Sequence, residues 1–135
     1  GTTGSQSNNP ANALFIIGFT DWRTSQDDTL WATEASANNP CPVGFRVPTL
    51  TEQNTLVTAA SITNSASAAS STLKFTVPGY RNDGNGTLGY VGSDGYYWSS
   101  TVSGTRASFR YFDSGGTTTD NRPRALGFSV RCLKD

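Results

Sequence analysis

Residues 39–49 read NPCPVGFRVPT, and residues 127–132 near the other end of the chain read GFSVRC. Each stretch holds one of the two cysteines of the sequence, Cys41 and Cys132. Two cysteines can form one disulfide, which would close a loop of about 90 residues and stabilise the fold by roughly 4–5 kcal/mol. Such a bridge indicates an environment outside the reducing cytosol.

Length and charge exclude several classes of partner. The 135 residues are enough for one domain with its own core. Ten basic and ten acidic side chains cancel, and no run of Lys or Arg occurs, so we expect neither nucleic acid nor an anionic membrane surface as a partner. The longest apolar run, residues 13–19, is shorter than the roughly 20 residues that span a bilayer. We therefore expect no membrane insertion.

Histidine is absent from the sequence. Its absence excludes serine and cysteine nucleophiles that depend on a histidine base, and also histidine-ligated metal sites. The ten carboxylates lie mostly in polar stretches, where they are expected to be solvated, so a catalytic carboxylate pair is disfavoured. We predict that the domain is not an enzyme and has no catalytic residue.

The first half of the chain contains a linker and the clearest helix signal. Residues 1–12 have little to bury and predict a linker or the end of a stalk, which leaves residues 13–135 as the domain. Residues 14–19 predict a buried strand. Thr49 followed by Glu52 is a capping-box pattern, which predicts a helix from Leu50 to about Ala60. Residues 61–72 predict a loop that could hold a short helical turn.

Strand patterns dominate the second half of the chain. Alternation of apolar and polar residues predicts strands there, and Asn, Asp and Gly clusters predict turns. Strands are predicted over residues 73–77, 88–91, 96–101, 107–111 and 126–133, with turns at 82–86 and 114–120. We expect an α+β fold in which a helix packs on antiparallel strands.

Six phrases follow one another along the chain. They are Asp21-Trp22-Arg23, Asp27-Asp28-Thr29-Leu30-Trp31, Asn39-Pro40-Cys41-Pro42 continuing through residues 44–49, Gly79-Tyr80-Arg81, Tyr97-Trp98-Ser99-Ser100-Thr101, and residues 127–132. Together they resemble the Fibrobacter succinogenes major paralogous domain, over roughly residues 19–135. The resemblance implies a C-type-lectin-like fold with one or two helices. It also implies a secreted or surface-exposed bacterial or phage protein, frequently at the tip of a fibre.

The resemblance extends to related lectin-like domains of receptor-binding proteins. In those domains the surface between the Trp-Ser phrase and the final strand binds other molecules. Calcium-dependent lectins of this fold use a Glu-Pro-Asn or Gln-Pro-Asp triplet with a Trp-Asn-Asp, and none of these occurs here. We therefore expect no cofactor and no metal ligands. Structural calcium at residues 83–86 is a weaker alternative to a plain hairpin turn, because the glycine and glutamate of an EF-hand loop are missing there.

The candidate ligand-binding residues lie between positions 90 and 124. Arginine and tyrosine give planar, amphipathic contacts that are typical of recognition surfaces. The alternative is a solvated strand face with a polar loop. The predicted ligand-binding residues are Tyr90, Tyr96, Arg106, Arg110, Tyr111, Asp120, Asn121 and Arg122. Trp22, Trp31 and Trp98 could stack on sugars, but we favour a core position for all three.

These observations lead to two hypotheses about function. The first is an extracellular or cell-surface adhesion domain at the tip of a fibre, which binds a glycan or protein on a target cell. The second is a trimerising cap without a ligand, in which Phe15, Ile17 or Phe112 would be buried between chains. We expect a homotrimer, which is compatible with both hypotheses. A third, enzymatic alternative rests on a distant resemblance to formylglycine-generating oxidases, whose chemistry uses cysteines.

Overall fold

A computed structural model describes residues 15–18 and 20–135. The described residues form two helices and seven strands. The helices are α1 (Leu50–Ala59) and α2 (Ser65–Ser70), and the strands are β1 (Phe45–Arg46), β2 (Tyr80–Arg81), β3 (Leu88–Gly89), β4 (Gly95–Ser103), β5 (Arg106–Phe112), β6 (Thr117–Pro123) and β7 (Leu133–Lys134). The predicted linker over residues 1–12 lies outside the described residues.

The strands form three small sheets. β4, β5 and β6 make a three-stranded sheet, whereas β1 pairs with β7 and β2 pairs with β3. All of these pairs are antiparallel. The predicted disulfide joins Cys41 to Cys132. The expected α+β class, with antiparallel strands, two short helices and one disulfide, is confirmed.

The segment 127–134 connects the three sheets. The Arg81 and Gly127 amides each donate to the other residue's carbonyl, at 2.8 and 2.9 Å, and the Trp98 amide donates to the Ser129 carbonyl at 2.9 Å. Gly127 allows this approach, because a Cβ there would lie 2.8 Å from the Cβ of Arg81. The strand predicted over 126–133 is therefore regular only in β7, and its earlier part makes isolated bridges.

Helix α1 begins with the predicted capping box. The Glu52 amide donates to Thr49 Oγ1 at 3.3 Å, and the Thr49 amide donates to the Glu52 carboxylate at 2.8 Å. Arg46 donates to both carboxylate oxygens of Glu52, at 2.8 and 2.7 Å, and to Asp135 at 2.6 Å. The start of the helix is thus joined to the end of the chain. The helix prediction is confirmed to within one residue of its C-terminal end.

One core lies between the helices and the three-stranded sheet. Phe112 is fully buried there, and it contacts Phe75 and Tyr97 with ring centroids 5.1 and 6.1 Å away. The core also contains Val57 of α1 and Ala68 of α2. Helix α2 is the helical turn for which residues 61–72 left room, and an asparagine capping box starts it.

The strand predicted over residues 73–77 is wrong. Burial alternates as expected, with Phe75 buried and its neighbours exposed, but the backbone does not join a sheet. Lys74 has a positive φ of 49°, which an extended strand does not allow. The Thr76 amide instead donates to the Tyr97 hydroxyl at 3.0 Å. Alternation here reflects contact with the core and not strand pairing.

Three further predictions require correction. The turn predicted over 114–120 is shorter, because β6 begins at Thr117 and pairs with β5 as an edge strand. The arm predicted over 88–91 ends at Gly89, since Tyr90 has a φ of 55°. In the described part of the strand predicted over 14–19, only Ile16 forms a β-bridge. The hairpin turn between β2 and β3 is confirmed.

The Glu52 contacts predict a pH dependence of stability. Hydrogen bonds from Arg46 hold the folded-state pKa of Glu52 at about 2, below its ordinary 4.5. Its contribution is therefore fully present above about pH 5 and is lost as the pH falls towards 2. Because a third of the side chain is exposed, we discount the shift and expect Glu52→Gln to lower the unfolding free energy at pH 7 by about 1–2 kcal/mol.

Urea denaturation of the wild type and Glu52→Gln between pH 7 and pH 2 measures this contribution. The two unfolding free energies should converge at the acid end. Asp120→Asn is the matched control, because Asp120 forms an exposed ion pair with Arg122 at 3.1 Å and should contribute less than about 0.5 kcal/mol. If the two unfolding free energies differed by the same amount at every pH, the stabilisation could not come from the ionised Glu52 carboxylate.

Candidate functional site

The three-stranded sheet presents two different faces. In its register Tyr97 lies opposite Arg110, and Trp98 lies opposite Phe109. Since successive side chains of a strand point to opposite faces, the first pair shares the helix side and the second pair shares the other side. We call the second side the aromatic face.

Aromatic rings pack closely on the aromatic face. The Phe128 ring stacks on Trp98 with centroids 4.3 Å apart, and Phe109 lies 4.8 Å from Phe128. Tyr96 and Tyr111, paired in the register, have centroids 4.9 Å apart. Trp98 is buried, so its predicted core position is confirmed.

The tyrosine hydroxyls on this face are held by two carboxylates. The Tyr111 hydroxyl lies 2.9 Å from Asp94 Oδ2 and 2.8 Å from Asp113 Oδ2. The Tyr96 hydroxyl donates to Asp94 Oδ2 at 3.3 Å. Burial, followed by the charge of Asp94, raises the pKa of Tyr96 to about 12. Burial and the two carboxylates also raise the pKa of Tyr111. Both hydroxyls are therefore protonated at neutral pH and engaged within the protein.

The loop over residues 20–31 lies against the edge of the aromatic face, and Arg124 holds it there. The Arg124 amide donates to the Thr20 carbonyl at 2.8 Å. Its guanidinium donates to the Asp28 carboxylate at 2.6 Å and to the Gly104 carbonyl at 3.3 Å. Gln26 also donates to Asp28 and Gly104, at 2.7 and 2.9 Å. The loop is thus fixed to the turn between β4 and β5.

A pocket of about 70 Å³ lies between this loop and the sheet. Indoles, carboxylates and guanidiniums line it, together with small side chains of β4 and β5. We call it the indole pocket, and its lining residues are Asp21, Trp22, Arg23, Asp27, Asp28, Leu30, Trp31, Trp98, Ser99, Ser100, Val102, Ala107 and Arg124. The expected core position of Trp22 and Trp31 needs correction, because both are only half-buried and line the pocket.

Hydrogen bonds hold two carboxylates of the indole pocket in their ionised form at neutral pH. A hydrogen bond from Thr29 lowers the pKa of Asp27, and hydrogen bonds from Gln26 and Arg124 lower that of Asp28. The Arg23 guanidinium lies 5.8 Å from the centroid of the Trp22 ring. The pocket therefore combines carboxylate acceptors with guanidinium donors beside aromatic surfaces.

Several polar atoms of the indole pocket have no hydrogen-bond partner. Among the described residues, five buried side-chain atoms lack one, and three of these belong to pocket-lining residues: Asp21 Oδ2, Arg23 Nη1 and Arg124 Nε. The closest charged neighbour of Asp21 Oδ2 is Arg124 Nη1 at 3.8 Å. Leaving a buried polar atom unpaired costs about 1–3 kcal/mol. These three atoms are therefore available to hydrogen-bond with a ligand or with water.

A second cavity of about 340 Å³ adjoins the indole pocket. Trp22, Trp31, Trp98 and Arg124 line both. The remaining lining of the second cavity is mainly apolar and includes Phe128. The three indoles therefore form a wall that is shared by a polar and an apolar space.

Two of the predicted site residues lie on the aromatic face beside the indole pocket. Arg122 pairs with Ala107, which lines the pocket, and Asp120 pairs with Phe109. Arg122 and Asp120 form an exposed ion pair at 3.1 Å. Tyr96 and Tyr111 share this face but pack within the aromatic cluster.

The other predicted site residues lie elsewhere. Arg106 is exposed and Asn121 half-buried on the helix side of the sheet, where Asn121 accepts from Ser108 at 2.7 Å. Arg110 is 7% exposed and donates to Asn54 of α1 and Thr117 of β6; burial lowers its pKa. Tyr90 is 62% exposed on the loop after β3. The sheet does not bring these residues together.

Sequence reasoning missed the contribution of the loop over residues 20–31. Its signal is present in the sequence, since two tryptophans alternate with Asp21, Arg23, Asp27 and Asp28. That composition is typical of a loop that recognises a ligand. The role of Arg124 had no local signal, because its partners are 18 or more residues away.

A family described as a domain of unknown function (DUF8237) matches residues 41–133, which is more than half of the chain. The chain belongs to this family. The DUF8237 match begins at the first disulfide cysteine and ends one residue after the second, so it covers the sheet side of the indole pocket but not the loop over residues 20–31. No curated protein and no solved structure matches the chain.

Both cysteines of the chain are bonded to each other, so neither is a free thiol. Within residues 15–18 and 20–135, no three His, Cys, Asp or Glu side chains are grouped so that they could hold a metal ion. In the same part of the chain, neither helix has the length and hydrophobicity to cross a membrane.

Proposed function

We propose that this domain is a non-catalytic recognition module of an extracellular or cell-surface protein. It binds a glycan or a protein on a target cell with the indole pocket and the exposed residues of β6 beside it. The observation that carries the proposal is the indole pocket. Carboxylates and guanidiniums lie there beside aromatic surfaces, next to the exposed pair Asp120 and Arg122.

The fold supports the same proposal. We propose a C-type-lectin-like arrangement, because helices pack on antiparallel strands and a disulfide joins the approach to α1 with the end of the chain. A disulfide is typical of proteins outside the cytosol, which favours an adhesin or fibre tip. The charged edge beside Arg122 is then available to a partner.

Binding of the labelled, oxidised domain to a glycan array and to whole cells tests the proposal. We expect the wild type to bind at least one surface in the presence of EDTA, since the proposed site needs no metal. Arg122→Ala should weaken that binding at least about fivefold, because a recognition arginine contributes about 1 kcal/mol or more.

Arg106→Ala is the matched control for this experiment. It removes the same side chain type from an exposed position on the neighbouring strand, on the other side of the sheet. We expect it to bind as the wild type does. Equal binding of Arg122→Ala and the wild type would contradict the site, and absence of binding to the array and to cells would contradict recognition itself.

A trimerising cap is the second candidate function. Three apolar residues are exposed in and just after β3: Leu88, Tyr90 and Val91, each about three-fifths accessible. Exposed apolar patches mark association surfaces. Phe112 cannot lie between chains as expected, since it is fully buried within one chain. The cap would associate through Leu88, Tyr90 and Val91. Three chains would also add avidity to a weak binding site.

Light scattering after size exclusion tests the cap. A trimer has three times the 14.3 kDa mass of one chain, and Leu88→Ser with Val91→Ser should convert it to monomers. Val43→Ser is the control, because Val43 is the most exposed apolar residue described and lies outside this patch. A wild type that is monomeric at micromolar concentration would exclude the cap.

A further inference from the structure

We infer that the indole pocket binds a neutral sugar residue, without calcium, through mixed donor and acceptor contacts to its hydroxyl groups and stacking on an indole. This inference rests on the proposed recognition function and names the class of its ligand. It is argued from the mixture of charged groups, the aromatic surfaces and the size of the pocket.

The mixture of negative and positive groups in the indole pocket favours a neutral ligand. Its lining includes three carboxylates, of Asp21, Asp27 and Asp28, and two guanidiniums, of Arg23 and Arg124. An anion entering this pocket would face the carboxylates, and a cation would face the guanidiniums. Each sugar hydroxyl, in contrast, can donate to a carboxylate and accept from a guanidinium. A pair of neighbouring hydroxyls therefore uses both kinds of group.

Two of the three indoles already pack against other side chains, which argues against an aromatic cage for a cationic ligand. Such cages place the ligand's positive charge over indole faces. Here the Arg23 guanidinium lies 5.8 Å from the centroid of Trp22, and the stacked Phe128 ring covers one face of Trp98. Trp31 is half-buried, and no ring or cation of the described residues stacks on its indole. It is the best candidate for stacking on a sugar ring.

Unpaired polar atoms in the lining of the indole pocket support the inference independently. Asp21, Arg23 and Arg124 each keep a buried side-chain atom without a hydrogen bond. These side chains therefore retain hydrogen-bonding capacity that the loop does not use. The hydroxyl groups of a ligand would supply the missing hydrogen-bond partners.

The size of the two cavities fits one sugar residue of a longer chain. The indole pocket, at about 70 Å³, accommodates only part of a ring, whereas pockets that enclose a whole small ligand measure about 300–1,000 Å³. The adjoining cavity of about 340 Å³ shares the indole wall. The hydroxyl edge of a sugar would occupy the polar pocket, and its ring would lie against the indoles.

Nuclear magnetic resonance of the three indole N–H groups in the full oxidised chain tests the inference. The probes are glucose, galactose, mannose and N-acetylglucosamine as neutral sugars, glucuronic acid as an anion, and glucosamine and choline as cations, all with EDTA. At least one neutral sugar should shift an indole signal with a dissociation constant of about 1 mM, as expected for a small ligand. The charged probes should bind at least about tenfold more weakly.

Three variants locate the site. Trp31→Ala should weaken sugar binding at least about tenfold, and Trp31→Phe, which keeps an aromatic ring and guards against misfolding, should lose less. Arg23→Gln should weaken binding about fivefold through its lost charged donor. Tyr90→Ala is the matched control, since it removes an exposed aromatic side chain outside the pocket and should change nothing.

The outcomes separate this inference from the proposed function. Failure of every neutral sugar to shift an indole signal would overturn the inference, as would tighter binding of a charged probe. Glycan or cell binding that depends on Arg122 but survives Trp31→Ala would overturn the pocket and leave the recognition function standing. Absence of any array or cell binding would instead remove the function on which the inference rests.

Discussion

The structure depends on how the last residues of the chain are held. Cys132 is bonded to Cys41, and β7 pairs with β1, which leads into helix α1. Arg46 then binds both Glu52 at the start of the helix and Asp135 at the end of the chain. The two small sheets β1–β7 and β2–β3 would not be stable by themselves, because isolated two-stranded pairs are marginal in water. The closing segment 127–134 contacts all three sheets and makes them one domain.

The candidate site is built on this frame in two steps. The closing segment places Phe128 against Trp98, which fixes the aromatic face of the sheet. Arg124, just before that segment, then ties the loop over residues 20–31 to the turn between β4 and β5. The indole pocket is therefore the junction of a rigid sheet and a loop held by charged contacts. Such pre-organisation lowers the cost of ordering a site on binding.

The sequence predicted those features that local residues determine. Thr49 and Glu52 specify the helix start, the Asn-Asp-Gly turn specifies the β2–β3 hairpin, and two cysteines leave one possible bridge. The predictions were wrong where contacts between distant residues determine the backbone conformation. The 73–77 segment has strand alternation, but its amides bond to Tyr97 and to α2. The polar strand β6 lacks apolar alternation and exists because β5 offers it an open edge.

Native-state hydrogen exchange tests the role of the closing segment most directly. The oxidised protein should be compared with the double variant Cys41→Ser and Cys132→Ser. The account predicts that the amides of Arg81 and Trp98, which bond to Gly127 and Ser129, lose more protection than the amides within the β4–β5 ladder, because freeing Cys132 loosens the segment first. Equal loss of protection at Arg81, Trp98 and the β4–β5 ladder would contradict it.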